Sequence, residues 1–148
     1  MYLRFGAMIL TSTIVMFCLT YLSTYEVDHV FFSEMRAYMA VIMGSVMALV
    51  MLTFMLNMYK NKTINVAIYV GSVVVFAAAL WLVRSQATVD QVSYMRAMIP
   101  HHSMAILTSE RAGITDPRVR KLADEIIGAQ RREIADMKAL IADLESGR

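Results

Sequence analysis

Three long apolar runs come first along the chain, and an amphipathic stretch follows them. Leu3–Leu22 carries one charge, Arg4, while Ala37–Tyr59 carries none over 23 residues and Ile64–Val83 none over 20. A helix needs about 20 apolar residues to cross a hydrocarbon core of about 30 Å. The pattern therefore predicts three transmembrane helices over about 3–22, 37–59 and 64–83. No small-x-small cleavage site occurs near Thr20–Tyr25, so the first run reads as an uncleaved anchor and not as a signal peptide.

From Thr88 the period changes. Val92, Met95, Ile99, His102 and Ile106 recur at spacings of three and four, the signature of an amphipathic helix. Pro100 interrupts it, either as a kink or as a break with a new helix starting near Ile99. Ala112-Gly113 is a stop, and Asp116-Pro117 reads as N-cap and first residue of a second helix. Its expected inner face is Val119, Leu122, Ile126, Ile127, Ile134, Met137, Leu140, Ile141 and Leu144, and Ser146-Gly147 ends it.

The expected fold is an all-α membrane protein: a transmembrane domain over 1–84 and an extramembrane helical hairpin over 85–148. Two helices of this size make a thin core. Such a hairpin is half of a four-helix bundle, which a homo-oligomer, dimer or higher, would complete.

Composition sharpens this. The 148 residues are 58% hydrophobic and 18% charged, but residues 1–84 hold three acids and five bases, whereas 85–148 hold nine of each. The first half is too apolar for any soluble domain. A net charge of +2, evenly mixed in the polar half, gives no footprint for nucleic acid. A single cysteine, Cys18, excludes an intramolecular disulfide and a thiolate cluster. Loop charge sets the expected orientation. Ser23–Arg36 holds Glu26, Asp28 and Glu34 against Arg36 alone, while Asn57–Thr63 holds Lys60 and Lys62 and no acid. Cations near span ends favour the cytoplasmic side, so the N-terminus with Arg4 is expected inside and the hairpin outside. In a bacterium that means an inner-membrane protein, embedded in lipid, with a periplasmic domain.

The densest chemistry is Met95, Met98, His101, His102 and Met104. Residues three and four apart are neighbours on a helix, which groups Met98 with both histidines and His101 with Met104. Imidazole with thioether suits copper, and thioether favours copper(I) and by extension silver(I). Gln130, Glu133 and Met137 follow one face of the second helix and could meet this patch as ligands or supporting groups. Against this stands the plain role of methionine as a flexible core filler.

Met98-Ile99-Pro100-His101-His102-Ser103-Met104-Ala105, then Asp116-Pro117, Leu122-Ala123, Ile126-Ile127, Ala129-Gln130, Glu133-Ile134 and Met137, resembles the repeat of domain-of-unknown-function family 305 over Asp90–Leu144. The resemblance implies a helical-bundle, extracytoplasmic protein of a family linked to copper and silver binding and resistance. It implies His101 and His102 as ligands, with Met98, Met104 and Met137 as sulfur donors. Family members often carry the repeat twice; here one copy stands beside three spans, which favours dimerisation.

The second span has its own pattern. Met35, Met39, Met43, Met47, Met51 and Met55 recur every four residues. Four residues turn a helix by about 400°, so the stripe spirals by about 40° per step. It could be an ion path or packing. Ala40, Gly44 and Ala48 form a small-xxx-small row that lets another helix approach. In the outer loop, Glu26, Asp28, His29, Glu34 and Met35 could collect cations but read more simply as a solvated acidic loop. No phosphate loop or Cys-x-x-Cys is present, and the hairpin holds no Glu-x-x-His pair, so no enzyme is expected. The expected function is a periplasm-facing binder of copper(I) or silver(I), for tolerance or for delivery to a metal-handling partner protein. The alternatives are a structural protein whose hairpin assembles without metal, or an oligomeric soft-metal transporter using the second span.

Overall fold

A computed structural model describes residues 1–147. They form five helices: α1 Tyr2–Leu19, α2 Glu34–Phe54, α3 Lys62–Ser85, α4 Gln91–Arg111 and α5 Pro117–Ser146, with short 3-10 turns at Thr20–Ser23 and Val27–His29. No strand occurs among the described residues. The chain divides into two compact units, one of Met1–Thr20 with Met35–Thr88 and the other of Tyr21–Glu34 with residues from Val89 onward. The loop between α1 and α2 therefore belongs with the hairpin.

In the first unit, three helices are long and apolar enough to cross a membrane: Tyr2–Ser23, Glu34–Phe54 and Lys62–Ser85. Their outward residues are large and apolar, Leu3, Leu10, Val66, Val74 and Trp81 among them, as contact with lipid chains requires. The second span begins three residues earlier than its uncharged run and ends five earlier. Met55 to Met58 turn instead of continuing, with the Tyr59 amide still bonded to the Met55 carbonyl. Tyr59 folds back to stack on Tyr2 and Phe5, at ring separations of 4.9 and 5.5 Å. The Tyr2 hydroxyl lies 2.8 Å from Asn65 Oδ1, and the Asn65 side-chain amide donates to the Tyr59 carbonyl at 2.6 Å. These bonds join the start of α1 to the α2–α3 turn. Asn61 caps α3 by accepting from the Ile64 amide at 3.1 Å.

Ala40, Gly44, Ala48 and Leu52, spaced by four, are the buried line of α2. A Cβ on Gly44 would lie 2.3 Å from Thr13 Oγ1. Only glycine permits this approach of α1, so the small-residue row is occupied within the chain. The methionine stripe divides, as its 40° drift demands. Met51 and Met55 pack against the cluster of Phe5, Ala48, Leu52 and Tyr59, Met35 and Met47 are half-buried, and Met39 and Met43 face outward.

In the second unit α4 and α5 form the expected hairpin. Asp90 and Asp116 cap them, accepting from the Ser93 and Arg118 amides at 2.7 and 2.8 Å. Pro100 neither breaks α4 nor starts a new helix: one helix runs from Gln91 to Arg111, with Pro100 buried inside it. Its seam is Val92, Met95, Ile99 and Ile106 against Ile134 and Ile141, with Ile127, Met137 and Leu144 at the margin. Arg96–Glu145 and Arg131–Glu110 ion pairs bracket the two ends. Val119, Leu122 and Leu140 are exposed, so the inner face of α5 is narrower than its apolar residues suggested. Part of what the hairpin lacks comes from its own chain, because Tyr25 and Phe31 of the α1–α2 loop pack on this core.

Candidate functional site

The Met-Ile-Pro-His-His segment occupies the middle of α4, and its side chains fan around the helix. Ile99, Pro100 and Ser103 point inward and are fully buried. His101 is exposed, Met104 is 40% exposed, and Met98 and His102 lie at the boundary. Met95 is sealed in the hairpin core, and Met137 packs against the same core from α5. Gln130 is half-buried and Glu133 exposed.

Two of these groups meet across the hairpin. His102 Nδ1 lies 3.0 Å from Glu133 Oε2. The contact is at ion-pair distance but lacks hydrogen-bond alignment, which leaves the buried Nδ1 without a hydrogen-bond partner. Burial holds the His102 pKa below its ordinary value; Glu133 pulls it upward and His101 pushes it further down. Burial thus favours the neutral imidazole, the form that binds a metal. The His101 and His102 rings are 6.1 Å apart, centre to centre, and tilted by 58°. Met98 is one helical turn from both.

The inward face of the same segment holds a second polar cluster. Ser103 Oγ accepts from the Tyr25 amide at 2.7 Å and lies 2.9 Å from His29 Nδ1. His29 is only 6% exposed. The α1–α2 loop is therefore not uniformly solvated: Glu26 and Asp28 face water, but Glu34 is half-buried and the histidine is docked on α4. The sequence held one cue to this. Ser103 falls between Ile99 and Ile106 on the buried face, and a hydroxyl there needs a partner from elsewhere in the fold.

Between the Asp90 cap and the Gly147 cap, the chain is one helical hairpin. Residues 90–147 match the family model of a domain of unknown function, DUF305. The DUF305 segment is thus α4 and α5 with both end caps, and three apolar helices precede it in the chain. A curated relative, the uncharacterized protein L153 of Acanthamoeba polyphaga mimivirus, is 36% identical over 72 residues. The match covers 47% of this chain and 47% of that protein, so the chain spans about half the length of the relative it matches. No solved structure matches the chain.

Proposed function

We propose that this chain is a membrane-anchored binding protein, not an enzyme, whose DUF305 hairpin takes up copper(I) or silver(I) for tolerance or for delivery to a partner. The observation that carries the reading is His102. Burial disfavours its charged form, Glu133 stands 3.0 Å from its Nδ1, and its ring lies beside a second histidine and one turn from Met98. Imidazole with thioether is a donor set for a soft monovalent ion, and the exposed His101 and Met104 give it an entry. Glu133 would orient His102 from α5, as carboxylates commonly orient metal-binding histidines.

The proposed setting is a bacterial inner membrane with the hairpin in the periplasm. The start of α1 and the α2–α3 turn share one end of the first unit and carry Arg4, Lys60 and Lys62; the α1–α2 loop, with Glu26, Asp28 and Glu34, packs on the hairpin. Positive charge favours the cytoplasmic side, which leaves the hairpin outside. Exposed Val119, Leu122 and Leu140 on α5 favour a second element of the proposal, pairing of hairpins between copies.

Silver titration of the detergent-purified chain tests the reading, with bound metal measured by elemental analysis. Replacing His101 and His102 together by alanine is expected to abolish the bound silver. If the double variant holds as much silver as the parent, the metal reading fails and a purely structural hairpin is what remains.

A further inference from the structure

On the other side of α4, the docked loop assembles a different set of donors. His29 Nε2 lies 3.7 Å from Asp28 Oδ1 and 3.8 Å from Glu26 Oε2. One ligand atom from each of the three residues falls within 4.8 Å of the other two. A cleft of about 330 Å³ opens on them, walled by Ile106, Ile134, Ala135, Arg131 and Lys138. We propose that Glu26, Asp28 and His29 form a binding site for a divalent transition-metal cation of the zinc class, separate from the His101–His102 patch.

An acidic pair on a surface would not carry this; the histidine does. His29 is 94% buried, counted from its 6% exposure, and its ring is fixed by Ser103 at Nδ1. Its Nε2 is too far from either carboxylate for a hydrogen bond and lies almost equally distant from both. A buried imidazole with one nitrogen tied to an oxygen and the other near two carboxylates is the arrangement of a metal-binding histidine and its supporting group. The distances fit. With metal–nitrogen and metal–oxygen bonds of about 2.0–2.2 Å, a tetrahedral ion places its ligand atoms about 3.4 Å apart. The two carboxylates, 54% and 64% exposed, need to approach Nε2 by only a few tenths of an ångström, and each other by at most about 1.4 Å.

The donor set also selects the ion. One nitrogen and two carboxylate oxygens, with no sulfur, suit zinc(II) or cobalt(II) better than copper(I) or silver(I). Two charged neighbours shape the affinity. Arg131 is engaged by Glu110 at 2.7 Å. Lys138 Nζ lies 2.5 Å from Asp28 Oδ2, the carboxylate oxygen turned away from His29, and competes with the metal for the same negative charge. Solvent supplies the remaining coordination positions through the open cleft.

The test is a cobalt(II) titration of the full chain in detergent, read by the visible d–d absorption of the bound ion and repeated with zinc(II) as competitor. The parent is expected to bind one cobalt that zinc displaces. The double variant E26Q/D28N, whose isosteric amides keep the loop docked, is expected to lose that species while still binding silver. K138M frees Asp28 and is expected to bind cobalt several-fold more tightly. Cobalt binding by E26Q/D28N equal to the parent's overturns the proposal. So does K138M binding cobalt no more tightly than the parent, since both carboxylates and the histidine remain in place there.

Discussion

His29 and Ser103 meet through Nδ1 and Oγ at 2.9 Å, from positions 74 residues apart in the chain. The contact fixes the loop that joins α1 to α2 onto the hairpin that follows α3 in the chain. Both residues are buried, and the Ser103 hydroxyl also takes the Tyr25 amide, so one small side chain on the inner face of α4 serves two loop residues.

Ser103→Ala is therefore expected to release the loop. It leaves a part-buried amide and a buried imidazole nitrogen without this partner, the buried one costing about 1–3 kcal/mol and the amide less. Hydrogen exchange should quicken across Tyr21–Glu34 while the capped ends of α4 and α5 keep their protection. Unchanged protection at Tyr25 and His29 would show that Tyr25 and Phe31 packing alone holds the loop.

Protonation should weaken the hairpin at His102. Its folded pKa is below the ordinary 6.5, chiefly through burial, so the unfolded chain binds the proton more readily. Stability is full above 6.5 and declines as the pH falls through the folded value. Asp28, held low by Lys138, and Asp116, held low by Arg118, titrate below 3.8, outside this window. Denaturant midpoints of α4 and α5 measured between about pH 7.5 and 5.5 should fall for the parent and stay flatter for His102→Gln. Equal slopes for the two proteins would remove His102 as the cause.

Much of this architecture was legible because its signals are local. Uncharged runs of sufficient length, the Asp90 and Asp116-Pro117 caps and the three-four spacing of Val92, Met95, Ile99 and Ile106 each depend on near neighbours in sequence. The family resemblance over α4 and α5 rested on the same contiguous stretch. What escaped was non-local. Proline inside α4 allowed two outcomes, and packing of its ring in the hairpin core accompanies the continuous one. The stop at Phe54 depends on Tyr59 finding Tyr2 and Phe5 on another helix. The docking of His29 depends on a serine far along the chain, and the burial of the Ala40-Gly44-Ala48 row depends on Thr13.

Gly44→Ala is expected to separate α1 from α2. Its Cβ would meet Thr13 Oγ1 at 2.3 Å, and that oxygen is held in place by its 2.8 Å bond to the Ile9 carbonyl. Overpacking of this kind costs about 1–3 kcal/mol. Thr13→Ala in the same chain removes the clashing oxygen and should restore most of the loss, read as the midpoint of unfolding in mixed detergent micelles. Failure of the second change to rescue the first would place the cost elsewhere than at this contact.

The methionine spiral gives the last prediction. Met51 and Met55 pack against Phe5, Ala48, Leu52 and Tyr59, whereas Met39 and Met43 face outward, so the six sulfurs do not line one continuous surface of the bundle. Leucine has nearly the volume of methionine but no sulfur, and such exchanges usually cost less than about 1.5 kcal/mol. A chain with Met43, Met47 and Met51 all changed to leucine is expected to fold, to bind silver at the hairpin as the parent does, and to leave silver movement across proteoliposomes unaltered. A fall in that flux with silver binding at the hairpin intact would assign the second span to ion passage and not to packing.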